Sequence, residues 1–320
     1  MCYSAQIKAD YSHYLYVVGP GKALNIRDFV ALYWQRSRDS RIRIPKALDA
    51  WFANPHNDDE ATIAKLIAQF NAKQIATLEQ GLFKQRKRLA DAQRLLQTRI
   101  TKKAQEDQRI ATNKIEWAMG KLSEIRRTTT SDSDARIFPG WYAPVIVAEN
   151  GRRVIKPMRY QCRVQGKPAF YDRKFPGTYN ARRDNLEGFW KGQFGHTHGL
   201  MIVNAFYENV SRHALEGREP GAGEKDENVI LEFRPTPAQD MLVACLWSHW
   251  QDGDEHLDSF AAITDDPPAE IAAAGHDRCI IPIKPEHIDA WLNPDPKNLA
   301  ALYDILDDRA RPYYEHRMAA

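Results

Sequence analysis

The chain of 320 residues is 43% hydrophobic and 27% charged, with a formal net charge of +3 at pH 7. This length and composition are typical of a globular protein of one or two domains, and so small a net charge does not by itself indicate a partner. No apolar run approaches twenty residues and no basic leader precedes one, so we expect no membrane span, no secretory signal and a cytoplasmic location.

The N-terminal thirty residues are predicted to contain a strand that ends in a turn. The aromatic and β-branched run at 14–18 favours a strand, and the Gly-Pro-Gly sequence at 19–21 favours the turn. The next hundred residues are predicted to be helical. Proline is absent between Pro55 and Pro139, and apolar residues recur at helical spacing, which indicates two or three long helices. Gly81 and Gly120 are the predicted breaks, and the polar run 128–134 is a predicted linker.

The predicted helices carry a strong local charge. Residues 84–127 contain thirteen basic and five acidic side chains, a net +8, so the remainder of the chain sums to −5. Two interpretations remain open. The segment is an extra arm that binds DNA or a protein partner through clustered Lys and Arg, or it is an amphipathic hairpin whose charges face solvent.

Strand patterns return after residue 138. Residues 143–148 and 154–155 flank Glu149-Asn150-Gly151 and predict a β-hairpin. Further strands are predicted at 199–207, 229–233, 241–247 and 259–264, and short helices at 286–292 and 299–306. The sequence therefore predicts an α+β fold, with a main domain formed by residues 1–29 and 136–320 and a helical insertion at 30–135.

Cys2 follows the initiator methionine, so removal of Met1 would leave a free amine and a thiol on adjacent carbons. Such a 1,2-aminothiol condenses with an aldehyde, first as a Schiff base and then as a thiazolidine ring. The four cysteines have no C-x-x-C spacing, which favours reduced thiols over a zinc site or disulfides. We expect no metal and no cofactor.

Three polar positions follow strand-like runs. Asn180 and Arg182 lie two residues apart, so in an extended segment both side chains share a face, where an amide can orient an amine and a guanidinium can bind phosphate. Glu208 ends an apolar strand, which favours a general acid with a raised pKa or, equally, a strand-end salt bridge. His276 has the residue type of a proton shuttle near neutral pH, although a lone histidine between a glycine and an aspartate is more often structural.

Together these segments resemble the SOS-response-associated peptidase family, whose members sense abasic sites. The resemblance comprises Cys2, Asn-Ala-Arg at 180–182, Phe-Tyr-Glu at 206–208, and a C-terminal series. That series runs from Ser-Phe-Ala at 259–261 through Ile-Thr at 263–264 to His-Asp-Arg at 276–278, with Trp-Leu-Asn-Pro at 291–294 beyond it. It covers residues 1–25 and 138–300, and the insertion is not part of it.

The resemblance implies one α+β domain around a β-barrel-like mixed sheet, with a groove for single-stranded DNA. It implies that Cys2 forms a thiazolidine cross-link with an abasic-site aldehyde in the DNA damage (SOS) response, an activity of lyase type. Asn180 and Arg182 would hold the cysteine and the DNA backbone. Glu208 would assist ring opening, and His276 would relay protons.

Departures from the family pattern concern the DNA-contacting strand. The usual Arg-Trp-Gly-Leu stretch is replaced by the sequence at 158–162, so Arg159 and Tyr160 are the predicted DNA-binding residues there. The predicted partner is single-stranded DNA with abasic sites, bound by a monomer away from membranes. Two alternative functions remain, a thiol peptidase that acts on its own N-terminus and a non-catalytic nucleic-acid-binding protein.

Overall fold

The computed structural model describes residues 4–19, 24–221, 223–225 and 227–319, and these form an α+β structure built on one twelve-stranded sheet. The strands are β1 (Ser4–Ile7), β2 (Arg136–Ile137), β3 (Tyr142–Glu149), β4 (Arg152–Tyr160), β5 (Asn180–Arg182), β6 (His198–Ser211), β7 (Asn228–Thr236), β8 (Met241–Asp252), β9 (Glu255–Asp265), β10 (Cys279–Ile280), β11 (Pro282–Ile283) and β12 (Tyr313–Met318). The helices are α1 (Tyr11–Val18), α2 (Ile26–Arg38), α3 (Lys46–Asp49), α4 (Asp58–Thr98), α5 (Lys102–Arg126), α6 (Tyr171–Lys174), α7 (Arg212–Leu215), α8 (Ala269–Ala273), α9 (Ile288–Leu292) and α10 (Leu299–Asp307). Single 3₁₀ turns occupy Ala50–Phe52, Asp132–Ala135, Arg183–Asn185 and Pro285–His287.

Five of the strands close into a mixed barrel in the order β3, β4, β9, β8, β6. The pairing of Ile146 with Leu200 joins β3 to β6 and completes the ring. Only the β4–β9 pair within this ring is parallel. Alternate residues of these strands enter two different cores, because successive side chains of a strand point to opposite faces. The α+β class and the barrel-like mixed sheet expected from the sequence are confirmed.

The strand predicted at 14–18 is wrong, because these residues form the second half of α1. Asp10 caps the helix by accepting a hydrogen bond from the backbone nitrogen of Ser12 at 2.9 Å. Tyr14 is fully buried, and its ring centroid lies 4.9 Å from that of Trp51. Packing of one helical face against this tryptophan therefore overrides the strand propensity of the run. Part of the Gly-Pro-Gly turn lies outside the described residues.

Helices α4 and α5 form an antiparallel pair, called the basic hairpin below. The predicted breaks at Gly81 and Gly120 are wrong, since both glycines lie within the helices and the chain reverses at residues 99–101. Thr101 caps α5 by accepting from the Ala104 nitrogen at 3.1 Å. Buried alanines recur every seven residues along α5 and allow close contact with α4; they are Ala104, Ala111 and Ala118. This contact offsets the cost of about 1 kcal/mol for each helical glycine.

A buried ion pair between α2 and α3 lies against the N-terminal half of α4. Arg36 on α2 is only 3% exposed, and its guanidinium donates to Asp49 at 3.0 and 3.1 Å. The same guanidinium lies 4.6 Å from the ring centroid of Phe70 on α4. Phe29 and Leu48 belong to the same apolar core as Ile146 of the barrel. The division of the chain at residues 30 and 135 stays a prediction.

The strands predicted after residue 138 are confirmed as β3, β4, β6, β7, β8 and β9, and both predicted C-terminal helices are present as α9 and α10. The sequence did not predict β12, which pairs with β7 from Tyr313 to Met318. Five of its six side chains are exposed, and three of these, Glu315, His316 and Arg317, are polar, so it lacks the apolar alternation that reveals a strand. No helix among the described residues is long and apolar enough to cross a membrane.

His198 begins β6 and is a buried, neutral histidine. Its Nε2 accepts from the Gly195 nitrogen at 2.9 Å, so Nδ1 carries the proton and donates to the Trp291 carbonyl at 3.0 Å. Burial lowers the pKa of His198 to about 3. In the unfolded chain the pKa is about 6.5. Between these values the unfolded chain binds more protons, so His198 makes stability fall as pH falls below about 6.5.

We therefore expect the free energy of unfolding to drop by roughly 2 kcal/mol between pH 6.5 and pH 5 on account of His198 alone. Urea unfolding of the wild type and of His198→Gln at both pH values measures this contribution. The variant should be less stable at pH 6.5 but less sensitive to acid. Equal losses of stability in the two proteins would show that His198 does not stay neutral.

Candidate active site

A buried carboxylate and an imidazole form the centre of the candidate site. Glu208 lies on β6 between β1 and β7 and has no exposed surface. Its Oε2 is 3.1 Å from His276 Nε2. The Nδ1 atom of His276 lies 2.9 Å from the Arg278 carbonyl oxygen, which can only accept, so Nδ1 carries a proton. His276 Nε2 and the Glu208 carboxyl group then share one further proton. The pair can donate this proton to a reactant or take it back.

His276 is positioned by the turn that joins α8 to β10. Gly275 has a φ of +89°, a left-handed conformation that favours glycine. A Cβ at this position would lie 2.9 Å from the Ala214 Cβ of α7, the helix that follows β6. The turn and the end of β6 therefore pack closely enough for the side chains of Glu208 and His276 to meet.

Asn180 brings a buried amide to the adjoining part of the sheet. It begins β5, which runs parallel to β9 and pairs Asn180 with Ala262. The residue is 7% exposed, and neither its Oδ1 nor its Nδ2 has a hydrogen-bond partner within the part of the chain that the structure describes. Buried amide groups are almost always hydrogen-bonded, and each unpaired group costs about 1–3 kcal/mol. The amide is therefore suited to bind a polar group of a ligand or of the N-terminal segment.

Arg182 ends β5 at the surface beside the His276 turn. Its guanidinium pairs with Asp184 at 2.8 Å, and this contact, with a smaller contribution from Asp277, raises the pKa of Arg182. A hydrogen bond from Arg278 lowers the pKa of Asp277 to about 2. Arg182 and Ile280 both pair with Thr264 of β9, so the exposed end of β5 lies close to β10, the strand that follows the His276 turn. A cation on this surface can attract a phosphodiester.

Strand β1 connects the N-terminus to this site. Ser4 pairs with Tyr207, the neighbour of Glu208 on β6, and Ser4 is fully buried. Gln6 accepts a hydrogen bond from the Tyr207 hydroxyl at 2.8 Å, which fixes the register of the two strands. Cys2 itself lies outside the described residues.

The three described cysteines are all buried thiols. Burial raises the pKa of Cys162 to about 12 and also raises the pKa of Cys245 and Cys279. A thiol with so high a pKa has almost no thiolate at neutral pH and is a poor nucleophile.

Arg159 and Tyr160 lie on β4 and contact protein groups. The Tyr160 ring is fully buried between Tyr179 and Phe260, with centroid distances of 5.6 and 5.2 Å. Arg159 pairs with Asp172 at 2.9 Å and donates to the Gln161 carbonyl. In this structure Tyr160 supports the strand that carries Asn180, through its neighbour Tyr179. The DNA contacts expected of Arg159 and Tyr160 stay predictions.

Sequence reasoning did not assign a role to two threonines near Asn180. The hydroxyl oxygens of Thr178 and Thr264 are buried and, like the Asn180 amide, have no hydrogen-bond partner among the described residues. Thr264 pairs with Arg182 on one side and with Ile280 on the other, between β5 and β10. The sequence alone gives little indication of a role for these threonines, because threonine is common in and near strands. No group of three or more His, Cys, Asp or Glu suited to a metal occurs among the described residues.

Fold and site together define an α+β barrel protein in which a proton-sharing carboxylate and imidazole lie beside the N-terminal strand. The model of the SOS response associated peptidase (SRAP) family matches residues 94–318, and the chain belongs to this family. Membership associates the chain with the SOS response and with DNA. Cys2 precedes the matched residues.

Among solved structures, the chain is similar to two proteins from Bordetella bronchiseptica and one from Bacteroides thetaiotaomicron. The first Bordetella protein is 16% identical, with a TM-score of 0.46 over 58% of this chain and 87% of its own. A phage-related Bordetella protein is 19% identical, with a TM-score of 0.43 over 61% and 85% of the two chains. The Bacteroides protein is 13% identical, with a TM-score of 0.45 over 58% and 78%. No curated protein matches the chain.

Proposed function

We propose that this protein captures abasic sites in single-stranded DNA by forming a thiazolidine between Cys2 and the sugar aldehyde. The observation that supports the proposal most strongly is the contact of Glu208 with His276, because Glu208 lies on the strand next to β1. An abasic site offers an aldehyde once its sugar ring opens, and the reaction needs an amine, a thiol and a group that exchanges protons.

Covalent geometry limits how far Cys2 can lie from the start of β1. Consecutive Cα atoms are 3.8 Å apart, so the Cα of Cys2 lies within about 7.6 Å of the Cα of Ser4. Ser4 is paired with Tyr207, which precedes Glu208. The other three cysteines are buried thiols with raised pKa values, so Cys2 is the cysteine suited to act as a nucleophile.

The proposed reaction proceeds in three steps. Glu208 and His276 take the proton from the C1′ hydroxyl and deliver one to the ring oxygen. The bond between C1′ and the ring oxygen then breaks, and the sugar opens to the aldehyde. The Cys2 amine then adds to the aldehyde carbon, and the shared proton leaves with the hydroxyl as water, giving a Schiff base. Finally the Cys2 sulfur bonds to the same carbon, and its proton moves to the nitrogen. One water is released in all, and no oxidant or cofactor is consumed.

Asn180 and Arg182 would position the reactants. The buried Asn180 amide has unused hydrogen-bonding capacity, which an amine or a sugar hydroxyl can satisfy. Arg182 is exposed at the end of the same strand and can pair with a phosphate if it releases Asp184. This arrangement holds the DNA backbone and the N-terminal amine on one face of β5.

The proposal is tested by incubating protein with single-stranded DNA that contains one abasic site and running a denaturing gel. Mass spectrometry first verifies that the protein begins at Cys2. We expect a heat-resistant shifted band for the wild type and no such band for Cys2→Ala. An unshifted band from a protein with a verified N-terminal cysteine would refute the proposal.

A further inference from the structure

We propose that the basic hairpin is an arm that binds the phosphate backbone of single-stranded DNA next to the lesion. This inference rests on the proposed function for the lesion. The affinity of the arm for intact DNA is a separate property that can be tested without Cys2 chemistry.

Many cations of the hairpin have no carboxylate partner. Of the thirteen basic residues at 84–127, six form ion pairs, as Arg109 does with Glu106 at 2.6 Å. The other seven make no ion pair within the part of the chain that the structure describes; they are Lys84, Arg86, Lys87, Arg99, Lys102, Lys103 and Lys114. All seven side chains are exposed. They create a positive surface that is not neutralised within the protein.

Several of these cations surround one groove between the two helices. The groove has a volume of about 410 Å³, and Lys84, Lys87 and Lys103 line it. Its acidic residues are already paired, Asp107 with Arg88 and Asp91 with Arg94. An anion in the groove would therefore meet three unneutralised ammonium groups.

The face of α5 that borders the groove continues toward the body. Lys103, Lys114 and Lys121 are spaced by eleven and seven residues, close to whole helical turns, so they share one side of α5. Trp117 lies on the same side and is 61% exposed. Exposed aromatic rings between cations are suited to single-stranded nucleic acid, because bases stack on the ring while phosphates pair with the cations.

Helix stability does not explain these charges. Lys102 and Lys103 occupy the first turn of α5, which contains no acidic residue, although cations are disfavoured at a helix N-terminus. The last turn of α4, where cations would stabilise the helix, has none. Lys102 and Lys103 at the hairpin tip thus oppose the dipole of α5, and a polyanion bound there would relieve this repulsion.

The base of the hairpin is linked directly to the strand that leads to Cys2. Lys46 donates to the backbone carbonyls of Glu124 and Arg127 at the end of α5, and Arg127 pairs with Asp134 at 2.7 Å. Two residues later the chain enters β2, which pairs with β1 through Ile137 and Ala5. The arm therefore starts beside the proposed site.

The length of the arm suits a nucleic-acid strand. Lys103 and Lys121 are eighteen residues apart on α5, about 27 Å at 1.5 Å per residue. At the spacing of about 3.4 Å per phosphate of a stacked strand in B-DNA, this distance corresponds to roughly eight nucleotides, and a more extended single strand would place fewer along it. A strand that leaves the site can thus follow the arm over most of its length.

The test measures fluorescence anisotropy of a labelled single-stranded 30-mer without any abasic site, at several salt concentrations. The test variant is Lys84→Gln/Lys87→Gln/Lys102→Gln/Lys103→Gln. The matched control is Lys174→Gln/Lys191→Gln/Lys225→Gln/Lys297→Gln, which removes four exposed lysines outside the basic hairpin and has the same net charge. Circular dichroism melting verifies that both variants fold.

We expect the test variant to bind about tenfold more weakly at moderate salt, and the control to change by less than about twofold. The slope of log affinity against log salt should become less steep by about two to three, since each phosphate contact contributes about 0.7. Equal affinities and slopes for the two variants would refute DNA binding by the basic hairpin. They would favour an acidic protein as the partner of the hairpin. Because the DNA is undamaged, absence of cross-linking in the gel test would not change this result.

Discussion

Replacing Glu208 by Gln should slow covalent capture of an abasic site by about 100-fold, within the range for loss of a general acid and base. The amide has nearly the same size, but it cannot exchange the proton that Glu208 shares with His276 across 3.1 Å. Ring opening and loss of water both need that proton. Single-turnover kinetics on denaturing gels, with protein in excess over DNA, give the rate constant.

Glu232 provides a matched control for this substitution. It is also a buried carboxylate, on the neighbouring strand β7, but it pairs with Arg317 at 3.0 Å and with Arg234 rather than with a histidine. Glu232→Gln should therefore change the rate by less than about threefold. Glu208→Gln/His276→Gln should be nearly as slow as either single variant, because the two residues act as a unit. A double variant whose rate loss equals the product of the two single losses would contradict a shared proton. Equal rates for Glu208→Gln and Glu232→Gln would contradict it too.

Replacing Arg36 by Met should lower the free energy of unfolding by about 3–5 kcal/mol, the usual cost of removing one partner of a buried ion pair. The change leaves Asp49 without its guanidinium, and burial already raises the pKa of this carboxyl. It also removes the cation from the rings of Tyr33 and Phe70. Urea unfolding monitored by fluorescence and by circular dichroism measures the loss.

The double variant Arg36→Met/Asp49→Leu separates the charge from the packing. Because an apolar pair of similar volume is often as stable as a buried ion pair, most of the lost stability should return. A cost of less than about 1 kcal/mol for Arg36→Met would contradict a stabilising role for this ion pair between α2 and α3.

Much of the sheet could be predicted from the sequence because its strands are strongly apolar. The runs in β6, β8 and β9 are buried on both faces, and their β-branched and aromatic content between turn residues favours strands over buried helices. The hairpin of β3 and β4 was predictable from Asn150 and Gly151, which both adopt positive φ in the turn.

Other elements depend on contacts that are distant in sequence. Residues 14–18 are helical because Tyr14 packs on Trp51, almost forty residues away. Strand β12 exists because β7 offers its free edge to a polar segment. Gly81 does not break α4, because α5 packs alongside it. Local propensity contains none of this information.

The candidate site was predictable as residue types but not as an arrangement. The order of motifs singled out Asn180, Glu208 and His276, and the structure brings Glu208 into contact with His276. That contact depends on the packing of Gly275 against Ala214, and the Asn180 position depends on the pairing of β5 with β9. Both are tertiary features that spacing along the chain does not encode.

The most direct test of the proposed function is mass spectrometry of the cross-linked complex after digestion with protease and nuclease. We predict that the DNA remnant is attached to the peptide that begins at Cys2, with a mass equal to peptide plus aldehyde less one water. The linkage should survive without borohydride, and the Cys2 thiol should resist alkylation because sulfur is part of the ring. A remnant on any other peptide, or a Cys2 thiol that is still alkylated, would contradict thiazolidine capture.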